Sequence, residues 1–256
     1  MSDKVVVITG ASSGIGAALA RQLGAQGHGL ALAARREQEL QCVAAQSGPM
    51  ALAIVADVRR RSDVDQLRDA AIARFGHIDV WINNAGRGIG RKVADLTDED
   101  FDEMMAVNVK SALYGMQSVL PHFQERGTGH IINVSSFLGR VPLVAYRSAY
   151  SAAKAALNSL TANLRMDLRA THPGIHVSLV MPGIVDTEFA RNALGGTPPP
   201  APGARSMLPQ APNDVVRMIV ALIDHPQPEI CTNPASPDIA RRYFQDVAAF
   251  EATLKA

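Results

Sequence analysis

The sequence predicts an α/β fold, a parallel sheet covered by helices on both faces. Three observations carry this: short, nearly continuous apolar runs, longer helical patterns alternating with them to about residue 185, and a glycine-rich turn after the first run. The runs are KVVVIT (4–9), GLALAA (29–34), ALAIVA (51–56), IDVWIN (78–83), HIINVS (130–135) and IHVSLV (175–180). Helical stretches fall near 15–26, 36–46, 62–75, 102–125 and 148–170. Beyond the sixth run, residues 195–212 are too rich in Pro and Gly for regular structure and read as a long loop. A helix at 213–224, a short strand at 228–232 and a terminal helix at 237–254 follow. No repeat or second domain is visible, so one domain over 1–256 is expected, with a substrate loop at about 188–212.

Composition narrows the function classes. The 256 residues carry 25 basic and 24 acidic side chains, a formal net charge of +1, with no block of one sign. No nucleic-acid partner is expected on bulk charge. The N-terminal apolar run is too short for a signal peptide, and no window reaches the length of a membrane span, so a soluble cytoplasmic protein with no membrane partner is expected. Cys42 and Cys231 stand far apart, read as buried thiols, and imply no disulfide. His172 and His176 are four apart but separated by Pro173 and Gly174, so no metal site is expected.

The turn TGASSGIG (9–16) joins the first strand to the first helix. Gly10, Gly14 and Gly16 permit a tight turn and close backbone approach, and the helix N-terminus offers free N–H groups to a phosphate. Its spacing is G-x-x-x-G-x-G rather than G-x-G-x-x-G, and the nucleotide contacts are expected along Gly10, Ser12, Ser13, Gly14, Ile15 and Gly16. The end of the second strand decides between cofactors: an acid there binds a ribose 2′-hydroxyl, and an Arg accommodates a 2′-phosphate. Ala34 occupies the acid's position and is followed by Arg35 and Arg36, which points to NADP(H).

SAYSAAK (148–154) places Tyr150 and Lys154 one helical turn apart on one face. Together with TGASSGIG (9–16), Asp57 and Val58, NNAG (83–86), Asn108, INVSS (132–136) and PGIVDT (182–187), it resembles the short-chain dehydrogenase/reductase family over about residues 4 to 190. The resemblance implies a doubly wound, Rossmann-type sheet with a nicotinamide dinucleotide across its carboxyl edge. Asp57 and Val58 would approach the adenine. Asn84, Ala85 and Gly86 would line the ribose, and Pro182, Gly183, Val185 and Thr187 would flank the nicotinamide. Asn83 and Asn84 keep a second, purely structural reading. The resemblance also implies a homodimer or homotetramer built on the two long helices.

Carbonyl reduction builds negative charge on oxygen and needs a proton donor beside it. Tyr150 is that donor, and Lys154 is expected to lower its pKa from about 10 and to bind the nicotinamide ribose. Ser136 would stabilise the substrate oxygen, Asn108 would hold a water near Lys154, as the resemblance implies, and Ser135 reads as a turn cap. Fourteen positions separate Ser136 from Tyr150, one more than the family pattern. Tyr146 has a Tyr, not a Lys, four residues on, and reads as a pocket wall or packing residue alongside Phe137, Leu138, Leu143, Val144 and Phe189. The expected function is hydride transfer between NADP(H) and a carbonyl or secondary alcohol. The alternatives are an epimerase or dehydratase that retains its cofactor, and a nucleotide-sensing protein without turnover. Residues 188–212 carry only Glu188, Arg191 and Arg205 as charges, which suggests a mainly neutral substrate.

Overall fold

Strands β1 (Val5–Thr9), β2 (Gly29–Ala34), β3 (Ala51–Val55), β4 (Val80–Asn83), β5 (Gly129–Val134), β6 (Ile175–Met181) and β7 (Glu229–Cys231) make one sheet. The coordinates are a computed structural model describing residues 3–196 and 209–254. Every pairing is parallel, and the order is β3-β2-β1-β4-β5-β6-β7. From β1 the chain builds outward to β3, then returns to add β4 on the other side. The strand order therefore reverses between β1 and β4, where a crevice opens at the carboxyl ends.

Alternate side chains of each strand feed two cores. Val6, Ile8, Leu30 and Leu32 pack beneath α1 (Gly14–Ala25), α2 (Glu37–Gln46) and α7 (Pro212–Asp224) through Leu19, Leu40 and Ile219. Val7, Ala31 and Trp81 face the other layer, α3 (Arg61–Phe75), α5 (Ser111–Arg126) and α6 (Ser148–Leu168), through Leu67, Phe123 and Leu168. This is the doubly wound α/β fold the sequence predicts.

The predicted helix at 102–125 differs from what is seen. α4 (Asp98–Met105) starts earlier, at a capping box in which Thr97 and Asp100 bond each other's backbone N–H. It runs into α5 through a π-helical segment, Ala106–Lys110. The terminal helix is also divided, into α8 (Ser236–Gln245) and α9 (Val247–Glu251), because Asp246 leaves helical geometry and its carboxylate caps Ala249 N–H. Cys42 is exposed and Cys231 half-buried, which corrects the expectation of two buried thiols: Cys42 lies on the outer face of α2. Of the predicted loop, 197–208 lie outside the described residues. Among the described residues no helix is long and apolar enough to cross a membrane.

His130 on β5 is buried, with Nε2 2.8 Å from Ser178 Oγ and no partner for Nδ1. The Ser178 hydroxyl donates to Gln227 O, so Nε2–H donates to Ser178 and Nδ1 is left as a bare lone pair. Burial, then His176 and Lys4, push the His130 pKa down to about 3. The unfolded chain therefore binds a proton that the folded chain refuses, and stability present above about pH 6.5 is lost as pH falls toward 3. Between pH 7 and pH 5, His130 should account for a loss of about 2 kcal/mol. Urea unfolding of the wild type and His130→Gln at both pH values checks this: the variant should have the shallower pH dependence.

Candidate active site

The carboxyl ends of β1 and β4 are tied together by Thr9. Its hydroxyl accepts from Asn84 N at 3.0 Å and Ala85 N at 3.1 Å, and the Asn84 side-chain amide donates to Thr9 O and Gly10 O at 3.0 and 3.3 Å. Above this floor runs the glycine-rich turn. Gly10 has φ +69°, and a Cβ there would lie 2.8 Å from Ala85 Cα. A Cβ on Gly16 would meet Gly10 O at 2.4 Å, so the turn can close only with glycine at that position. The Ser13 side chain makes no cap bond to α1, leaving the helix's first N–H groups open to a ligand.

Asn83 and Asn133 extend this support inward. Asn83 Oδ1 accepts from Trp81 Nε1 at 2.8 Å while its Nδ2 donates to Asn133 Oδ1 at 2.8 Å, and Asn133 Nδ2 donates to Thr161 Oγ1 at 2.9 Å. The structural reading holds for the Asn83 side chain, which is buried within this network. Asn84 takes both parts, bonding the turn while lining the cleft.

α6 brings Tyr150 and Lys154 to the same cleft, both almost fully buried. Lys154 Nζ donates to Val134 O at 3.0 Å and stands 5.7 Å from the Tyr150 ring centroid. The Ser136 hydroxyl accepts from Leu138 N at 3.2 Å and lies near enough to the Tyr150 phenol to oppose the rise in its pKa. The turn cap falls to Ser136 rather than, as expected, to Ser135, whose hydroxyl donates to Asn158 Oδ1 at 2.5 Å and sits 3.3 Å from Lys154 O, strapping α6 to the end of β5. The 3-10 turn Phe137–Gly139 lies so close to α6 that a Cβ on Gly139 would come within 2.6 Å of the Lys154 carbonyl carbon.

Asn108 sits in the π segment. Its amide donates to Arg87 O and Met104 O at 3.0 and 3.1 Å, and its Oδ1 accepts from Arg87 N at 3.2 Å. A Cβ on Gly86 would fall 3.0 Å from Asn108 Oδ1 and 3.6 Å from Lys154 Nζ, so the glycine lies between these two side chains.

The electrostatics differ from the expectation that Lys154 lowers the Tyr150 pKa. Burial dominates and pushes Tyr150 up to about 12, with Ser136 and Arg147 opposing it. Burial also pushes Lys154 down to about 7. At the other end, the Arg59 guanidinium, aided by Arg35, holds the Asp57 carboxyl below its ordinary range. Arg59 in turn bonds Glu103 at 2.9 Å, a contact with no sequence signal.

Ser136, Tyr150, Lys154 and Asp57 line one cleft of about 1040 Å³, large for a small-molecule site, while Asn108, predicted among the catalytic residues, is buried behind its wall. The cleft includes Gly10, Ser12, Ser13, Gly14 and Ile15 of the turn, with Arg35, Arg36, Asp57, Val58, Ala85 and Gly86. Pro182, Gly183, Val185 and Thr187 complete the expected nucleotide wall. Gly16 lies behind it, and its role is steric. Arg35 is exposed, and Arg36 donates to Ser12 Oγ at 3.2–3.3 Å. Phe137, Leu138, Leu143, Val144 and Phe189 line the far end as expected, with the Phe189 and Tyr150 rings 5.4 Å apart. Tyr146 does not. α6 begins at Ser148, so Tyr146 precedes the helix and lies off the Tyr150 face, and Arg147 takes the place at the wall. Sequence reading also missed Ile239, Arg242, Phe250 and Leu254, by which the chain's end closes the cleft.

The fold and cleft define an α/β protein with a ligand site at its topological switch point. Residues 4–195 match the family model described as short chain dehydrogenase. An uncharacterized oxidoreductase of Staphylococcus epidermidis is 40% identical over 187 residues, which is 73% of this chain and 80% of the relative. A short chain dehydrogenase/reductase from Burkholderia phymatum, solved in complex with NAD, matches at TM-score 0.87 and 27% identity over 97% of this chain and 95% of its own. An alcohol dehydrogenase from the archaeon Thermococcus sibiricus, complexed with 5-hydroxy-NADP, matches at TM-score 0.77 and 28% identity over 90% of this chain and 96% of its own. The chain belongs to the short-chain dehydrogenase/reductase family of oxidoreductases.

Because the turn tolerates no side chain at position 16, Gly16→Ala should weaken binding of a nicotinamide dinucleotide by at least about tenfold. Calorimetric titration checks this, with circular dichroism to establish that the variant is folded.

Proposed function

We propose that the chain is an NADP(H)-dependent oxidoreductase that moves a hydride between the nicotinamide and a carbonyl or secondary alcohol carbon, with Tyr150 as general acid and base. The observation that carries this reading is the convergence of the Tyr150 phenol, the Ser136 hydroxyl and the Lys154 ammonium in one buried cleft beneath the glycine-rich turn. The cleft fits a dinucleotide in the close glycine backbone, the open N-terminus of α1 and its volume.

When bound, the nicotinamide supplies the hydride donor or acceptor. Ser136 hydrogen-bonds the substrate oxygen and orients it toward the phenol. Tyr150, its pKa held high by burial, keeps its proton at neutral pH and delivers it to the oxygen as negative charge develops there. In oxidation the same group takes the proton back. Lys154, its pKa lowered by burial, gains charge when an anion or a dipole approaches, and it then favours the phenolate. Asn108 lies across Gly86 from Lys154, and a water held between them would resupply the proton.

The choice of NADP(H) rests on Ala34, Arg35 and Arg36 at the end of β2, since the solved relatives include both NAD and NADP-type complexes. A homodimer or homotetramer formed through α4, α5 and α6 suits the exposed Phe101 and Met166 on those helices.

The reading is tested by following nicotinamide absorbance with NADPH and with NADH across ketones and aldehydes. Tyr150→Phe should lose about 10²–10⁴-fold in kcat with little change in NADPH affinity. Turnover that survives this substitution sinks the assignment of Tyr150. Arg35→Asp should move the preference from NADPH toward NADH, as read from the ratio of kcat/KM values.

A further inference from the structure

Beyond Tyr150, the far half of the cleft is walled by apolar side chains, among them Phe137, Leu143 and Phe250, yet its charges are largely of one sign. Arg87, Arg147, Arg191 and Arg242 all line it. Arg87 is paired with Glu103 at 3.5 Å. Among the described residues no carboxylate lies within ion-pair distance of the other three. The acid on this side, Glu188, faces Arg36 at 3.8 Å. Residues 189–212 contain Arg191 and Arg205 and neither Asp nor Glu, so that stretch brings no carboxylate of its own.

Arg147 stands apart from the rest. It is half-buried, three residues before Tyr150, and donates to Ile89 O at 3.0 Å, while the phenol lies close enough for its charge to act on the guanidinium. A guanidinium has five N–H donors; here one bonds Ile89 O and the Tyr146 ring centroid lies 5.8 Å from the guanidinium carbon, which leaves the other donors without an anion among the described residues. Partly burying a cation without an anion is costly, and a ligand carboxylate relieves that cost with geometry suited to a planar fork. Arg242 lies with its guanidinium carbon 5.7 Å from the Phe250 ring centroid, which adds a second, exposed cation at the apolar rim. One half-buried guanidinium matches one negative charge.

Resting on the redox reading above, we infer that the substrate is a ketone or alcohol carrying a carboxylate on an apolar body, and that Arg147 binds the carboxylate with Arg242 as an outer contact. In reduction the carbonyl carbon accepts the hydride with its electron pair from the reduced nicotinamide, the oxygen accepts the Tyr150 proton, and the carboxylate is unchanged. The product is a hydroxy acid. This replaces the mainly neutral substrate suggested by residues 188–212, because the cations come from the N-cap of α6 and from α8, outside that stretch.

The test uses two unreactive probes, 4-phenylbutyrate and its neutral amide, 4-phenylbutyramide, titrated calorimetrically into the full-length chain with and without NADP+. The wild type should bind the carboxylate at least about tenfold more tightly than the amide. Arg147→Gln should bring the two together, and Arg147→Lys should restore part of the difference. Arg242→Gln, at an exposed position that folding does not depend on, should reduce the preference about threefold. Equal affinity of the wild type for the two probes, including no detectable binding of either, overturns the inference, as does a preference that survives Arg147→Gln. The redox reading stands or falls separately: a carboxylate preference without turnover of any carbonyl defeats that reading and leaves the anion site in place.

Discussion

The geometry of the site depends on one buried lysine. Lys154 is almost fully buried and donates to one backbone carbonyl, that of Val134 at the last position of β5. The bond fixes the height of α6 against the sheet, and the Ser135 hydroxyl, bonded to Lys154 O and Asn158, fixes its rotation. Tyr150, one turn earlier, then has no freedom to leave the cleft. The exclusion of water that makes the lysine sensitive to nearby charge also keeps the phenol protonated. Positioning and proton chemistry therefore share one cause.

Around that lysine the carboxyl edge is stitched by neutral polar groups. Thr9 and Asn84 join β1 to β4, and Asn83, Asn133 and Thr161 join β4, β5 and α6. Such a network rigidifies only when its members are satisfied, and here each named amide finds partners. Beneath it, apolar strands buried on both faces supply the stability, which leaves the edge free to carry polar chemistry.

Much of this was legible in the sequence for identifiable reasons. Strands covered on both faces leave continuous apolar runs, so six of the seven lie within two residues of their expected ends and the seventh within one. The Tyr150–Lys154 pair was readable because helical spacing sets which residues share a face. Two boundaries carried signals that the reading passed over: Thr97 and Asp100 have capping-box spacing, and Asp246 precedes a short apolar run as a cap does. What remained hidden was nonlocal. Nothing near Arg59 announces Glu103, 44 positions away, and nothing near Phe137 announces that Phe250 will pack on it. The substrate wall is assembled from such distant pieces, so periodicity could not reveal its charge.

The π segment gives Asn108 its direction at the cost of regular backbone bonding. Ser111 N–H reaches back five residues to Ala106 O, and the carbonyl of Val107 is taken instead by the Ser111 hydroxyl, while the Asn108 amide takes that of Met104. The chain therefore holds one residue more here than an unbroken α-helix would over the same rise. Deleting a single residue from 106–110 would close the bulge into unbroken α-helix and remove the widening that directs Asn108 toward Arg87. The extra residue of this stretch serves to aim a side chain rather than to lengthen a helix.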